Sequence, residues 1–271
     1  MALFSVSPTT QISYDVFPGL LPSTTVFVHG NLASNRWWMP TVELLKVQAA
    51  VGAEKPAGSM ICLEFRGSGN SSAPKTDSEV TMQNFANDFI ALIRSLNLPP
   101  VNIVGHSTGG IIAAIMLATA PELFNKAYLL DPVGAEGVKF DTAMIVAFEG
   151  MKQDKDLTSM IIGSTIHNNN AASPFFKDII VEDAFKAVKA VGHLVLKALD
   201  GLDIRETLKA VKNPVKVVHG EHDVLLSKEE SQKLAHLFQN GQFETLSGCG
   251  HCANIENTKL FVQNMNQFLF L

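Results

Sequence analysis

Cysteine is scarce in this chain: Cys62, Cys249 and Cys252 are all it has among 271 residues. So small and odd a number excludes a disulfide framework of the kind that staples small secreted domains. Positive charge is also short. Lys and Arg number 21 against 26 Asp and Glu, a formal net charge of -5 with no dense basic block, which argues against nucleic acid as a partner. No apolar run approaches the roughly 18 residues of a membrane span, and the longest, around Ile111 to Ala120, suits a helix buried against a sheet. The opening residues lack both a basic stretch and a continuous apolar segment, so no signal peptide is expected and the expected location is the cytoplasm. Repeats and low-complexity linkers are missing too. What is present is a 46% hydrophobic, 17% charged chain, ample for one large core, expected as a monomer or small homo-oligomer.

The periodicities alternate. Short alternating segments near Leu3–Val6 and Gln11–Val16 predict an opening β-hairpin. Thr24–Val28, Met60–Glu64, Val101–Val104, Ala127–Leu130, Val215–His219 and Phe243–Leu246 read as strands, several apolar enough to be buried on both faces. Helical spacing occupies about Trp37–Ala50, with a Gly/Pro-bearing loop after it, then Thr81–Leu96, Gly110–Ala120, Lys228–Phe238 and Asn257–Phe270. Strands alternating with helices imply right-handed crossovers and a mostly parallel sheet. One region breaks the pattern. Residues 134–211 hold no convincing strand, while Phe185, Val188, Val191, Val195 and Leu199 keep helical spacing. The expectation is a core of residues 1–133 and 212–271 with a helical cap inserted between them.

The densest chemical signal is Gly105-His106-Ser107-Thr108-Gly109, between an apolar strand and an apolar helix. A serine on so sharp a turn is forced outward at a helix N-terminus, and the residues two before and two after it come close enough that both must be small. The helix dipole and free amides favour negative charge there. A serine hydroxyl is a weak nucleophile alone. It needs a histidine to take its proton and a carboxylate to orient that histidine.

Five stretches in order make the chain resemble the α/β-hydrolase superfamily, in particular serine carboxylesterase-like members with a helical cap. They are Val28-His29-Gly30-Asn31, Phe65-Arg66-Gly67-Ser68-Gly69-Asn70-Ser71, the Ser107 pentapeptide with Gly110, His219-Gly220-Glu221-His222-Asp223 and Gly248-Cys249-Gly250-His251. The resemblance implies a mostly parallel central sheet flanked by helices, with the cap after the sixth strand. It implies Ser107 as nucleophile, His251 as base and Asp223 as orienting acid. Asp131, after the preceding strand, is the rival acid, and Glu221 a third candidate. It further implies an oxyanion hole made of the backbone N–H groups of Thr108 and Asn31. Cys249-Gly250-His251-Cys252 also matches the redox pair of thioredoxin-like isomerases, but those sit early in a small domain and this one lies near the end of a long chain.

Trp37, Trp38 and Phe148 are candidates for the wall of a substrate pocket, and ordinary packing accounts for each equally well. Arg66 is expected to order its own loop. The implied reaction is hydrolysis of a carboxylic ester or lactone of small to medium acyl chain, with no metal or organic cofactor. Aspartate-nucleophile chemistry is excluded by Ser107. Asn31-Leu32-Ala33, where carbon–carbon bond hydrolases usually carry Gly-Pro-Gly, counts against those enzymes. Cofactor-free perhydrolases (haloperoxidases) and hydroxynitrile lyases share the triad and stay open alternatives, as does a hydrolase-fold ligand receptor.

Overall fold

The computed structural model describes residues 1–50 and 58–270, so the Gly/Pro-bearing loop expected after Ala50 lies outside the described residues. An eight-stranded sheet runs through the molecule in the order β1-β2-β4-β3-β5-β6-β7-β8. The hairpin β1 (Ala2–Ser7) and β2 (Thr10–Phe17) is antiparallel, and β2 meets β4 (Gly58–Leu63) antiparallel. From there the pairing is parallel, through β3 (Leu21–Val28), β5 (Val101–His106), β6 (Phe124–Leu130), β7 (Val215–Gly220) and β8 (Gly241–Leu246). This is the α/β-hydrolase fold, as expected.

Alternation along the strands sorts their side chains onto two faces. Val26, Val28, Ala127 and Leu129 join one core cluster with α2 (Met82–Ser95) and α3 (Thr108–Thr119). Phe27, Tyr128 and Leu130 join the other with α1 (Met39–Ala50) and α11 (Thr258–Leu269). Helix α3 has ten buried residues on every side, as its unbroken apolar sequence requires. It fills the space between strand layer and α2, and so anchors the turn that begins it.

The helix expected from Trp37 starts later. Ser34 Oγ accepts the Arg36 N–H at 3.1 Å and winds Asn35–Trp38 into a tight 3-10 turn, after which α1 begins at Met39. Between β6 and β7 come α4 (Thr142–Gln153), α5 (Lys155–Ser164), α6 (Val181–Ala187), α7 (His193–Leu199) and α8 (Arg205–Leu208). Five-residue π-helical stretches, Phe176–Ile180 and Val188–Gly192, flank α6 and join it into one helical run ending at Leu199. Each π turn shifts the following buried stripe by a fraction of a turn. One part of this run can therefore pack on Trp37 and Leu32 while Val191, Val195 and Leu199 join the sheet's own core. No helix among the described residues is long and apolar enough to cross a membrane.

Candidate active site

At the carboxyl end of β5 the chain turns sharply at Ser107. Ser107 has φ 54 and ψ -121, a conformation strained for any residue with a side chain. Three hydrogen bonds hold it there: its N–H donates to Leu130 O at 2.9 Å, and its carbonyl accepts from Gly110 N at 2.9 Å and Val133 N at 3.2 Å. The flanking glycines are sterically required. A Cβ on Gly105 would run into the Gly109 carbonyl, and one on Gly109 into the carbonyls of Val28 and His29. Thr108 is the first residue of α3, so its N–H has no acceptor within the helix.

His251 stands on the loop after β8 and is buried. Its Nδ1 lies 2.8 Å from Asp223 Oδ2. A carboxylate only accepts, so Nδ1 carries the proton and a neutral ring leaves Nε2 as the free base. Asp223, in the turn after β7, is itself fixed, for its Oδ1 accepts Leu225 N at 2.7 Å and Leu226 N at 3.2 Å. Burial opposes its ionisation, but the His251 ring and those two amides outweigh it and hold the carboxyl below the usual aspartate range. The ring of His106, the neighbour of Ser107, is 4.9 Å from the ring of His251, which brings the serine turn and the histidine loop together.

Asp131, the rival acid, is also here but is bound differently. It is fully buried, has φ 41, and its Oδ1 accepts Gly220 N at 2.7 Å. Burial first, and the nearby Asp223 charge second, push its carboxyl well above the usual range against the pull of that amide. Two carboxyls so close in a buried place hold one proton between them, and Asp223, with His251 Nδ1 and two amides donating to it, keeps the charge. Among the described residues, Asp131, Asp223 and His251 form the one trio with metal-ligand spacing, donor atoms within 4.8 Å. Its shortest contact, however, is a hydrogen bond through the proton on Nδ1, the atom an ion would need bare. Glu221 points elsewhere, accepting Gly248 N at 2.9 Å.

The remaining candidates divide. The Asn31 side chain is committed locally, its Oδ1 taking Leu32 N at 3.0 Å and its Nδ2 reaching Gly192 O at 2.9 Å across to the inserted helices. Only its main chain is left to serve an anion. Trp38 is a correction. It is fully buried between Phe27 and Phe261 with its edge toward His106, and so packs α1 on the sheet instead of walling a pocket. Trp37 lies in a different cluster, under Met151, Ile162 and Phe176 of the insertion, and Phe148 packs on the edge of that cluster. Arg66 forks onto Asp88 at 2.6 and 2.9 Å and reaches Glu79 at 3.2 Å, which orders its loop. The cysteines are all buried and free, Cys249 and Cys252 in separate clusters, and burial raises both thiols, Cys249 to about 11.

The insertion is fastened over these loops. Asp183 of α6 accepts from Ser34 Oγ at 2.6 Å and pairs with Arg36, and Lys186 Nζ donates to Gly69 O. Two residues that sequence reasoning passed over also belong to the site. His106, the residue before Ser107, donates from Nε2 to His251 O at 2.8 Å. Burial, the largest cause, lowers its pKa to about 3 and keeps it neutral. Glu256, five residues after His251, accepts Gly250 N at 2.5 Å and Cys252 N at 3.0 Å. Its only sequence signal is its spacing from the histidine.

Known proteins resemble the chain along nearly all of it. A family model described as alpha/beta hydrolase fold matches residues 26–159. The 3-oxoadipate enol-lactonase 2 of Acinetobacter baylyi is 24% identical over 213 residues, 74% of this chain and 75% of that protein. Among solved structures, an enol-lactonase from Burkholderia xenovorans superposes with a TM-score of 0.82 at 18% identity, covering 100% of both chains. An esterase from Exiguobacterium antarcticum gives 0.79 at 19% identity, over 97% of this chain and 96% of the other.

Proposed function

The chain belongs to the α/β-hydrolase superfamily, and we propose that within it this protein is a serine hydrolase of carboxylic esters and lactones. The observation that carries the proposal is the 2.8 Å bond between His251 Nδ1 and Asp223 Oδ2, on a loop packed against the strained turn of Ser107. In this reading Ser107 Oγ attacks the acyl carbon as His251 Nε2 takes its proton. Asp223 stabilises the resulting imidazolium, and its depressed pKa keeps it charged throughout the working range. The oxyanion is met by the backbone N–H of Thr108 and of Asn31, each worth a few kcal/mol to the transition state. The imidazolium returns the proton to the leaving alcohol, and water repeats the sequence on the acyl-enzyme.

Residues 134–211 act as the cap, and the ester lies beneath it, with Trp37 and Phe148 contributing to the apolar ground on which it rests. A lactone is chemically the same bond closed into a ring. The enol-lactonase and esterase likenesses support the ester-or-lactone class, whereas the acyl chain is left to measurement. The test is labelling with a fluorophosphonate probe, followed by hydrolysis of nitrophenyl esters of increasing acyl length and of simple lactones. Wild type should label at Ser107 and turn over repeatedly, and Ser107→Ala should do neither. Undiminished ester turnover in Ser107→Ala refutes the proposal.

A further inference from the structure

The base in such a site must be placed to within fractions of an ångström, yet His251 sits on a loop. The feature that fixes the loop is a single carboxylate. Glu256 closes the four-residue helix α10 (Ala253–Glu256), turned back toward the histidine. Its Oε2 accepts Gly250 N at 2.5 Å and its Oε1 accepts Cys252 N at 3.0 Å, so the amides on either side of residue 251 end on one side chain. Oε1 takes a third donor, His167 N at 2.9 Å, from the segment after α5. The fit is close: a Cβ on Gly250 would crowd His167 Cβ, Glu256 Oε1 and the His222 carbonyl. His167 in turn lies with its ring on that of His222, the neighbour of Asp223, at 4.2 Å between centroids.

We propose that Glu256 is a positioning residue for His251, and that it ties the placement of this base to the seating of the inserted helices. The inference rests on the serine-hydrolase reading above. The orientation of the Cα–Cβ bond of His251 is set by the peptide planes on either side of it. The plane after it is held by the charge-assisted bond from Cys252 N to Glu256, about twice as strong as a neutral one, and the same carboxylate holds Gly250 N in the plane one residue earlier. His106 Nε2–H on the carbonyl of residue 251 supplies the third restraint. Without the carboxylate the loop keeps its position through Glu221 on Gly248 and the bond from His222 N to Cys249 O, but residue 251 itself gains freedom to swing. His167 N shares Oε1, so lifting the insertion takes away a donor that holds the carboxylate in place.

The deciding variant is Glu256→Gln, whose amide must turn an NH2 toward backbone N–H groups. On nitrophenyl acetate kcat should fall by roughly 10–100-fold, the cost of displacing a reacting group by about an ångström, with KM within about twofold. Fluorophosphonate labelling of Ser107 should slow by the same factor. The downfield proton resonance of the His251 Nδ1–H bond should shift or broaden, which a loss of stability alone does not produce. Wild-type kcat and an unmoved proton resonance in folded Glu256→Gln overturn the proposal. If that variant does not fold, Glu256→Asp replaces it. Its charge is kept and its carboxylate withdrawn by one methylene; kcat should again fall at constant KM, and wild-type kcat overturns the proposal. Ser107→Ala separates the two ideas. Should it retain turnover, the serine reading fails, and positioning by Glu256 fails with it. Should it be inactive while the Glu256 variants match wild type, only the role of Glu256 falls.

Discussion

Replacing Asp131 by asparagine should make the protein more stable, and increasingly so as pH rises. Asparagine is nearly isosteric and keeps an oxygen for Gly220 N, while its NH2 takes the place of Asp131 Oδ2, which has no hydrogen-bond partner. The native carboxyl is fully buried and its pKa is raised, by burial first and by the Asp223 charge second. An aspartate in the unfolded chain ionises near 3.9. A raised folded-state value means that the stabilising contribution is fully present below about pH 3.9 and is lost as pH climbs toward the folded value. Each pH unit over which only the folded chain keeps the proton costs the wild type about 1.4 kcal/mol. The asparagine variant has no such proton. From pH 5 upward the stability difference should therefore shift steadily in its favour, until the folded-state value is passed.

Urea unfolding of the two proteins at pH 5, 6, 7 and 8 measures this directly, since every other titrating group shared by the pair largely cancels in the difference. Ester turnover of Asp131→Asn should stay within a few-fold of wild type. Parallel stability curves would mean that Asp131 is ionised in the native state and would refute the shared-proton argument.

Asp223→Asn should lose roughly 10³–10⁴-fold in kcat, because the amide presents His251 with the wrong tautomer partner, and a loss under tenfold in steady-state assays would remove Asp223 as the orienting acid. Ser107→Gly should be inactive but about 1 kcal/mol more stable than Ser107→Ala, since glycine accepts φ 54 without strain; equal thermal midpoints would show the turn to be relaxed. His106 stays neutral down to about pH 3 in the folded chain, so its contribution is whole above pH 6.5 and lost as pH falls through that window. The acid limb of wild-type stability should accordingly be steeper than that of His106→Gln by about 1.4 kcal/mol per pH unit below 6.5, and identical limbs in urea titrations would refute it.

The parts of this site that were legible in the sequence are those that steric necessity writes into it. Gly105 and Gly109 are glycine because carbonyls occupy the space of their side chains, so the turn at Ser107 could be read from composition alone. The strands were legible because burial on both faces demands unbroken apolar runs. The start of α1 was missed because Trp37 and Trp38 extend its apolar spacing backward, and only the Ser34 cap shows that they belong to a 3-10 turn. Trp38 and Trp37 are adjacent and chemically identical, yet one faces the sheet core and the other the insertion, a division set by helix phase that no neighbouring residue announces. The π turns left no sequence mark either.

Side chains that act on the backbone were the least legible of all. Asn31, His106 and Glu256 each find a main-chain partner far along the chain: Asn31 reaches Gly192 across 161 residues, His106 reaches His251 across 145, and Glu256 reaches His167 across 89. A backbone amide or carbonyl has no identity in the sequence, so nothing marks the far end of such a bond. Side-chain pairs behave differently. Asp223 and His251 are both chemically distinctive, and their roles constrain each other before any coordinates exist. The consequence for the site is an asymmetry. Its reacting atoms can be named from the sequence, while the restraints that hold them within reach of one another, Glu256 and His106 above all, can be named only once the loops are folded together.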